Sequence, residues 1–246
     1  MSTFNFLNVS NLLLDMDRMI TKETTIKELI GMQGQVKDLL DRYAFTNHEA
    51  TLEIFEQEGV EPAFFVELMD LFVAGEDFDV QNLKVFSLPR ILDYLKQAHV
   101  YYLEEKLPEM EKLTYQMVDA VGKSESEIIY FFYLKFSTEL KKHIEFEEMQ
   151  VFPYIQKMLD GEKPEFTRNA FRLSRFVQNH TGDLEQELND FLVHLTTNFS
   201  KLKDEEVFKQ FCKLLADFEK DLLRHAVIED DLLMVEALEI ELELLK

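Results

Sequence analysis

Apolar residues recur every three to four positions along most of this chain, the repeat that gathers them on one face of a helix. From Leu88 onward four long patterns of this kind follow one another, over about 88–120, 125–159, 165–200 and 205–243. Ser87 stands in N-cap position before the first, with Pro89 just inside it. Turn signals part the four: Gly122-Lys-Ser-Glu-Ser126, Asp160-Gly-Glu-Lys-Pro164 and the polar Lys203-Asp-Glu-Glu206. Upstream, Ile26, Leu29, Ile30, Val36, Leu39 and Leu40 form a helical stripe interrupted by Gly31 and Gly34. Asn47 is placed to cap a second helix running through Glu58, and Pro62 opens a third that carries Phe64, Phe65, Leu68, Met69 and Phe72. The first 20 residues are apolar but uncapped, and read as an arm or short helix. The expected class is all-α: a small helical domain over 1–80, a linker over 76–87, and an up-down-up-down four-helix bundle over 85–246.

Two of the long stripes are broken by the same pair of residues. Phe136, Leu140, His143, Glu147 and Val151 share a helix face, and so do Phe218, Leu222, His225, Glu229 and Leu233. Two further histidines, His99 and His180, precede these pairs by 44 and 45 residues. His99 lies 23 residues before Gly122 and His143 lies 21 after it. His143 lies 18 before Gly161, His180 lies 16 after Pro164, and His180 and His225 are each about 22 from Lys203. At ~1.5 Å per residue these arms agree to within about one turn, so short connections bring all four histidines to one height. Two carboxylates buried at that level repel one another and resist desolvation, a difficulty that a cation removes.

Composition narrows the chemistry. Gly (7) and Pro (5) are scarce among 246 residues, which favours helix, and 22 phenylalanines supply most of the aromatic core volume. A net charge of −22 argues against nucleic acid and against anionic membranes as partners, and its ordinary meaning is solubility. The single cysteine, Cys212, rules out an intrachain disulfide framework and a thiolate-bound cluster. No basic leader and no apolar run of membrane-spanning length is visible, so a cytoplasmic setting is expected. Four imidazoles and two carboxylates suit octahedral iron or manganese better than tetrahedral structural zinc. With two ions sharing both carboxylates, each would have about four protein ligands and about two positions left for an oxo or hydroxo bridge and a small ligand. The Glu-x-x-His pairs of ferritin-type sites do not occur.

His143-x3-Glu147-Glu148-x3-Phe152-Pro153 resembles the second-helix motif of hemerythrin-like (HHE cation-binding) domains. His99-Val-Tyr-Tyr-Leu-Glu-Glu-Lys-Leu-Pro108 is similar to their first-helix motif. Asn179-His180, with the later His194-Leu-Thr-Thr-Asn198, resembles the third motif, and His225-x3-Glu229-Asp230 the fourth. Within that superfamily the chain looks most like the repair-of-iron-centres (RIC, ScdA-type) proteins. Their small N-terminal domain opens much like Thr25-Ile-Lys-Glu-Leu29 and ends near an Arg42-Tyr43-like pair. The resemblance implies two non-haem iron ions, bridged by carboxylates and an oxo or hydroxo group, on His99, His143, Glu147, His180, His225 and Glu229. It implies a response to nitrosative and oxidative stress, with nitric oxide or dioxygen as small ligand and damaged iron–sulfur proteins as partners. The alternative expectation is a sensor that binds dioxygen or nitric oxide without turnover. One departure favours the alternative and sets any thiol-dependent step aside: where the family has a Cys-Cys pair, this chain reads Phe45-Thr-Asn-His48-Glu49.

Around this set, His48 reads as a surface or capping residue, with a replacement ligand or proton carrier as the alternative. His194 reads as peripheral. Tyr101 and Tyr102 read either as packing or as the lining of the open site. Glu109 and Glu148 read as solvated surface charges, with a part in proton or iron movement as the alternative. Pro108 and Pro153 are expected to kink their helices. Cys212 is expected in the core.

Overall fold

The computed structural model describes residues 24–32, 36–43, 45, 47, 49–51, 60–74, 78–120, 123–163, 170–179, 184–199, 202 and 204–246. It divides into two compact units, Met1–Val85 and Phe86–Lys246. The proposed arm over 1–20 lies outside the described residues.

In the first unit, helix α1 (Ile26–Met32) is followed by α2 (Val36–Arg42), α3 (Pro62–Ala74) and a 3-10 turn over Val80–Val85. Thr25 and Glu28 close a capping box at the start of α1: the Thr25 N–H donates to Glu28 Oε2 at 2.8 Å, and the Glu28 N–H donates back to Thr25 Oγ1 at 3.2 Å. Asn47 does not cap a helix at its expected place. Its backbone carbonyl accepts the Ala50 N–H, its side chain accepts the Glu49 N–H, and Thr51 pairs with Thr25 in an isolated bridge. An asparagine that satisfies its own following backbone makes a turn as readily as a cap. The rest of the expected second helix, residues 52–59, lies outside the description. Ile26, Leu29, Val36, Leu39, Phe64, Phe65, Leu68 and Phe72 form the core, and the buried Arg42 guanidinium lies over the Phe72 ring at 5.1 Å.

The second unit is a bundle of four helical columns. The first is α4 (Leu88–Tyr101), a π turn over Tyr102–Lys106 and α5 (Leu107–Ala120). The second is α6 (Lys123–Phe146), a π turn over Glu147–Val151 and α7 (Phe152–Leu159). The third is described over α8 (Leu173–Asn179) and α9 (Leu184–Asn198). The fourth is α10 (Glu206–Ile228), a π turn over Glu229–Leu233 and α11 (Met234–Leu244). Columns one and two, three and four, four and one, and two and three pack side by side, as an up-down-up-down bundle requires. The expected start at about 165 lies outside the described residues; residues 170–172 are not helical, and α8 begins at Leu173. Its N-terminal N–H groups are instead met by a side chain from column four. Glu241, wholly buried, accepts the Leu173 N–H at 2.9 Å, the Ser174 N–H at 3.1 Å and the Tyr154 hydroxyl.

The apolar core between α5, α6, α9 and α10 is built on phenylalanine. Phe132 stacks on Phe191, and Phe136 meets Phe218 edge-on at 6.0 Å and 87°. Phe136, Phe211 and Phe218 are wholly buried, each contributing roughly 1.5–3 kcal/mol.

The three π turns are the departure from regular helix that positions the site. In each, one N–H donates five residues back: Leu107 to Tyr102 O, Phe152 to Glu147 O and Met234 to Glu229 O. Prolines explain two of them. Pro108 and Pro153 follow those donors directly, have no N–H of their own, and would press on the carbonyl four residues back in a regular helix. The expected kinks are thus realised as wider turns. No proline follows the third. Past each turn the buried positions fall one residue later than an unbroken helix would place them: Met110, Thr114 and Met117 in column one, Ile155 in column two, Ala237 and Glu241 in column four.

Candidate metal centre

Each chemically active side chain sits at or beside one of these turns. His99, one turn ahead of the first, is 2% exposed. Its ring stacks on Phe152 at 5.3 Å and 3°. Its Nε2 faces inward, 3.2 Å from His225 Nε2 and 3.3 Å from Glu147 Oε2. His143 is partly exposed and puts Nε2 2.7 Å from Glu147 Oε1. His225 places Nε2 3.4 Å from Glu229 Oε2, with the Tyr102 ring edge-on to it at 5.7 Å. The pairs at i and i+4 therefore face the same way, as their stripes require.

Two donor groups result: His99, Glu147 and His225, and His143, Glu147 and Glu229, with the donor atoms of each group within 4.8 Å of one another. Glu147 belongs to both. Glu147 and Glu229 are 0% and 2% exposed. Both oxygens of Glu147 and Oε1 of Glu229 are shielded from solvent without a hydrogen-bond donor in line among the described residues, although His143 and His99 stand close to Glu147. Unmet buried carboxylate oxygens facing imidazole nitrogens are what a cation site presents. The donor set fits iron in this respect.

The electrostatics say the same in terms of protons. Burial alone would raise the Glu147 carboxyl, but His143 and His99 outweigh it and hold the group far below the usual carboxylate range. Burial likewise opposes a charged His99, and the carboxylates of Glu147 and Glu148 reverse this, leaving its imidazole above the ordinary value. Glu229 goes the other way: burial, then the charges of Glu147 and Asp230, push it well above 4.5, which favours its protonated form.

Of the six expected ligands, five are brought together: His99, His143, Glu147, His225 and Glu229. His180 lies outside the described residues, and so does His48. The open side of the site is a cleft of about 440 Å³, including solvent space at its mouth, lined by Tyr102, Leu140, Ile144, Leu184 and Glu185 beside the histidines. Tyr102 lines the site while its hydroxyl reaches the Asp221 carbonyl at 3.4 Å. Tyr101 packs in the core beneath the Lys106 ammonium. His194 and Glu109 are exposed, as expected. Cys212 is half-buried, and its thiol is pushed up by burial to about 11.

Glu148 is the correction. Half-exposed at the rim, it is more than a surface charge: its Oε1 lies 2.8 Å from His99 Nδ1. Glu147 and Glu148 open the π turn that precedes Pro153, and both carboxylates reach the His99 ring.

A four-column bundle with imidazoles and shared buried carboxylates at one level defines a cation-binding helical domain. The chain belongs to the hemerythrin HHE cation binding domain family, which matches residues 90–237. Domains of this family bind metal ions, commonly iron. No curated protein matches the chain. Among the described residues no helix is long and apolar enough to cross a membrane.

Proposed function

We propose that this protein is a non-haem di-iron protein of the iron–sulfur-cluster repair kind, which reacts with nitric oxide or reactive oxygen species and yields iron to damaged iron–sulfur proteins. The observation that carries it is Glu147, a buried carboxylate common to two donor groups, as a bridging ligand between two ions would be. His99, His143, His225 and Glu229 complete the described ligands, with His180 as the remaining expected one. Iron bound there would supply reversible one-electron chemistry to a small ligand entering the cleft. The test is anaerobic loading with Fe²⁺, metal analysis, and absorption spectra before and after nitric oxide and dioxygen. About two irons per chain are expected from two donor groups. Less than about one per chain sinks the reading.

One observation favours a second reading, a dioxygen or nitric oxide sensor without turnover. Phe45, at the place of the family's thiol pair, is a buried core residue, and Cys212 is a shielded, weakly acidic thiol. A thiol relay has no residue to use in this chain. Sustained consumption of nitric oxide by the reduced protein supports the repair reading. A stoichiometric spectral change without consumption supports sensing.

A further inference from the structure

We infer that Glu148 is a positioning residue for His99: its carboxylate holds the Nδ1 proton of that imidazole and so presents Nε2 to the cations. The inference rests on the metal-binding reading above.

His99 is gripped on three sides. Glu148 Oε1 lies 2.8 Å from Nδ1, Glu147 Oε2 lies 3.3 Å from Nε2, and the Phe152 ring lies flat against the face at 5.3 Å. An ionised carboxylate only accepts hydrogen bonds, so the proton between Glu148 and His99 sits on Nδ1. Nε2, on the side of Glu147 and His225, is then the nitrogen left to give up its proton and bind a cation. Turning the ring over would place a C–H against Glu148 and break its bond.

The sequence places Glu147 and Glu148 side by side, which in a regular helix points them about 100° apart. Both residues open the π turn over Glu147–Val151. The same turn therefore supplies one carboxylate to the metal side of His99 and the next to its outer side. The Glu148 side chain is 34% exposed against 1% for Glu147, so one faces the rim and the other the interior. A carboxylate on the second nitrogen of a ligating histidine fixes its tautomer and raises its basicity.

The rival view is that Glu148 only ties column two to column one. Substitutions in the full-length protein separate the two. Glu148→Ala removes the acceptor, whereas Glu148→Gln keeps a neutral carbonyl oxygen at the same reach. Fe²⁺ affinity is measured anaerobically by competition with a chelator, alongside melting of the chelated protein. The expected result is about 10–100-fold weaker Fe²⁺ binding in E148A, and recovery in E148Q to within about fivefold of wild type, because an outer hydrogen bond to a ligating histidine is worth about that much. Binding in E148A within about threefold of wild type overturns the inference, and so does an E148Q protein as impaired as E148A. The second readout needs no iron. The imidazole N–H resonance of His99 Nδ1 in the chelated protein is expected to persist in wild type and E148Q and to vanish into exchange in E148A. If it persists in E148A, the positioning role fails. If wild type takes up no iron while the resonance behaves as expected, the failure belongs to the di-iron reading and not to Glu148.

Discussion

Replacing Glu229 by glutamine should make the melting curves of this protein cross. Glu229 is 2% exposed, its Oε1 has no hydrogen-bond donor, and burial together with the charges of Glu147 and Asp230 raises its pKa well above 4.5. The unfolded chain releases that proton near 4.5; the fold must retain it or bury a charge. The raised group therefore contributes its full stability below pH about 4.5 and loses it as pH rises through the folded value. Glutamine has the same shape without this liability. Replacing buried ionisable pairs by neutral residues of like volume is often neutral or stabilising by about 1–4 kcal/mol, and glutamine, which stays polar, is expected in the lower half of that range. For a bundle of this size that is roughly 2–8 °C in Tm. With iron the sign reverses. Losing one anionic ligand weakens binding, and each 100-fold loss removes about 2.7 kcal/mol of linkage stabilisation. The assay is thermal unfolding at neutral pH, in chelator and in excess Fe²⁺ under anaerobic conditions. E229Q should melt above wild type in chelator and below it with iron. If E229Q lowers both curves equally, Glu229 is a structural acceptor and the account of the site's charges is wrong.

Glu241→Ala should destabilise the protein by roughly 2–4 kcal/mol with or without iron, since it strands a buried hydroxyl and two N–H groups; equal effects in chelator and iron, by denaturant unfolding, check this. Glu241 also sets an acid limit. Burial opposes its ionisation, but the Tyr154 hydroxyl and the Ser174 and Leu173 N–H groups outweigh it, so its stabilisation is present above about 4.5 and is lost as pH falls through the lowered folded value. Its partner Tyr154 sets the alkaline counterpart: burial and Glu241 push the phenol up to about 12, so its contribution is complete below about 10 and disappears between about 10 and 12. In the E241A background both limits should flatten in unfolding free energy plotted against pH. Gly161→Ala should cost roughly 1–2 kcal/mol, because φ is +82° while an added Cβ meets nothing within 4 Å; an unchanged denaturant m-value would confirm that only the turn is strained.

The helical spacing of apolar residues was enough to read the class, the four columns and the level of the site. His143 and Glu147, and His225 and Glu229, could be paired because i and i+4 share a face. Three features were not legible, each for a physical reason. The Leu173 start of α8 depends on Glu241, 68 residues away, and no local propensity encodes a distant acceptor. Asn47 satisfies a turn or a cap with the same atoms, so its residue type leaves the choice open. Glu148 looked solvated because it lies off the apolar stripe that carries Glu147, and its partner His99 is 49 residues away on another column. The prolines marked two π turns, whereas the third is traced only by the late phase of Ala237 and Glu241.

That late phase has a meaning at the level of the gene. A π turn holds one residue more than the helix it interrupts while leaving the helix on either side facing its old neighbours. Removing one codon from each of the three turns would leave three regular columns with their core faces intact. Glu147 and Glu229 sit at the first position of two of those turns, and Glu148, which meets His99, is the second residue of one of them. The candidate metal centre is in this sense built around three single-residue insertions in an otherwise ordinary bundle. A triple deletion should give a well-folded protein, more regular than its parent, that has lost its affinity for iron.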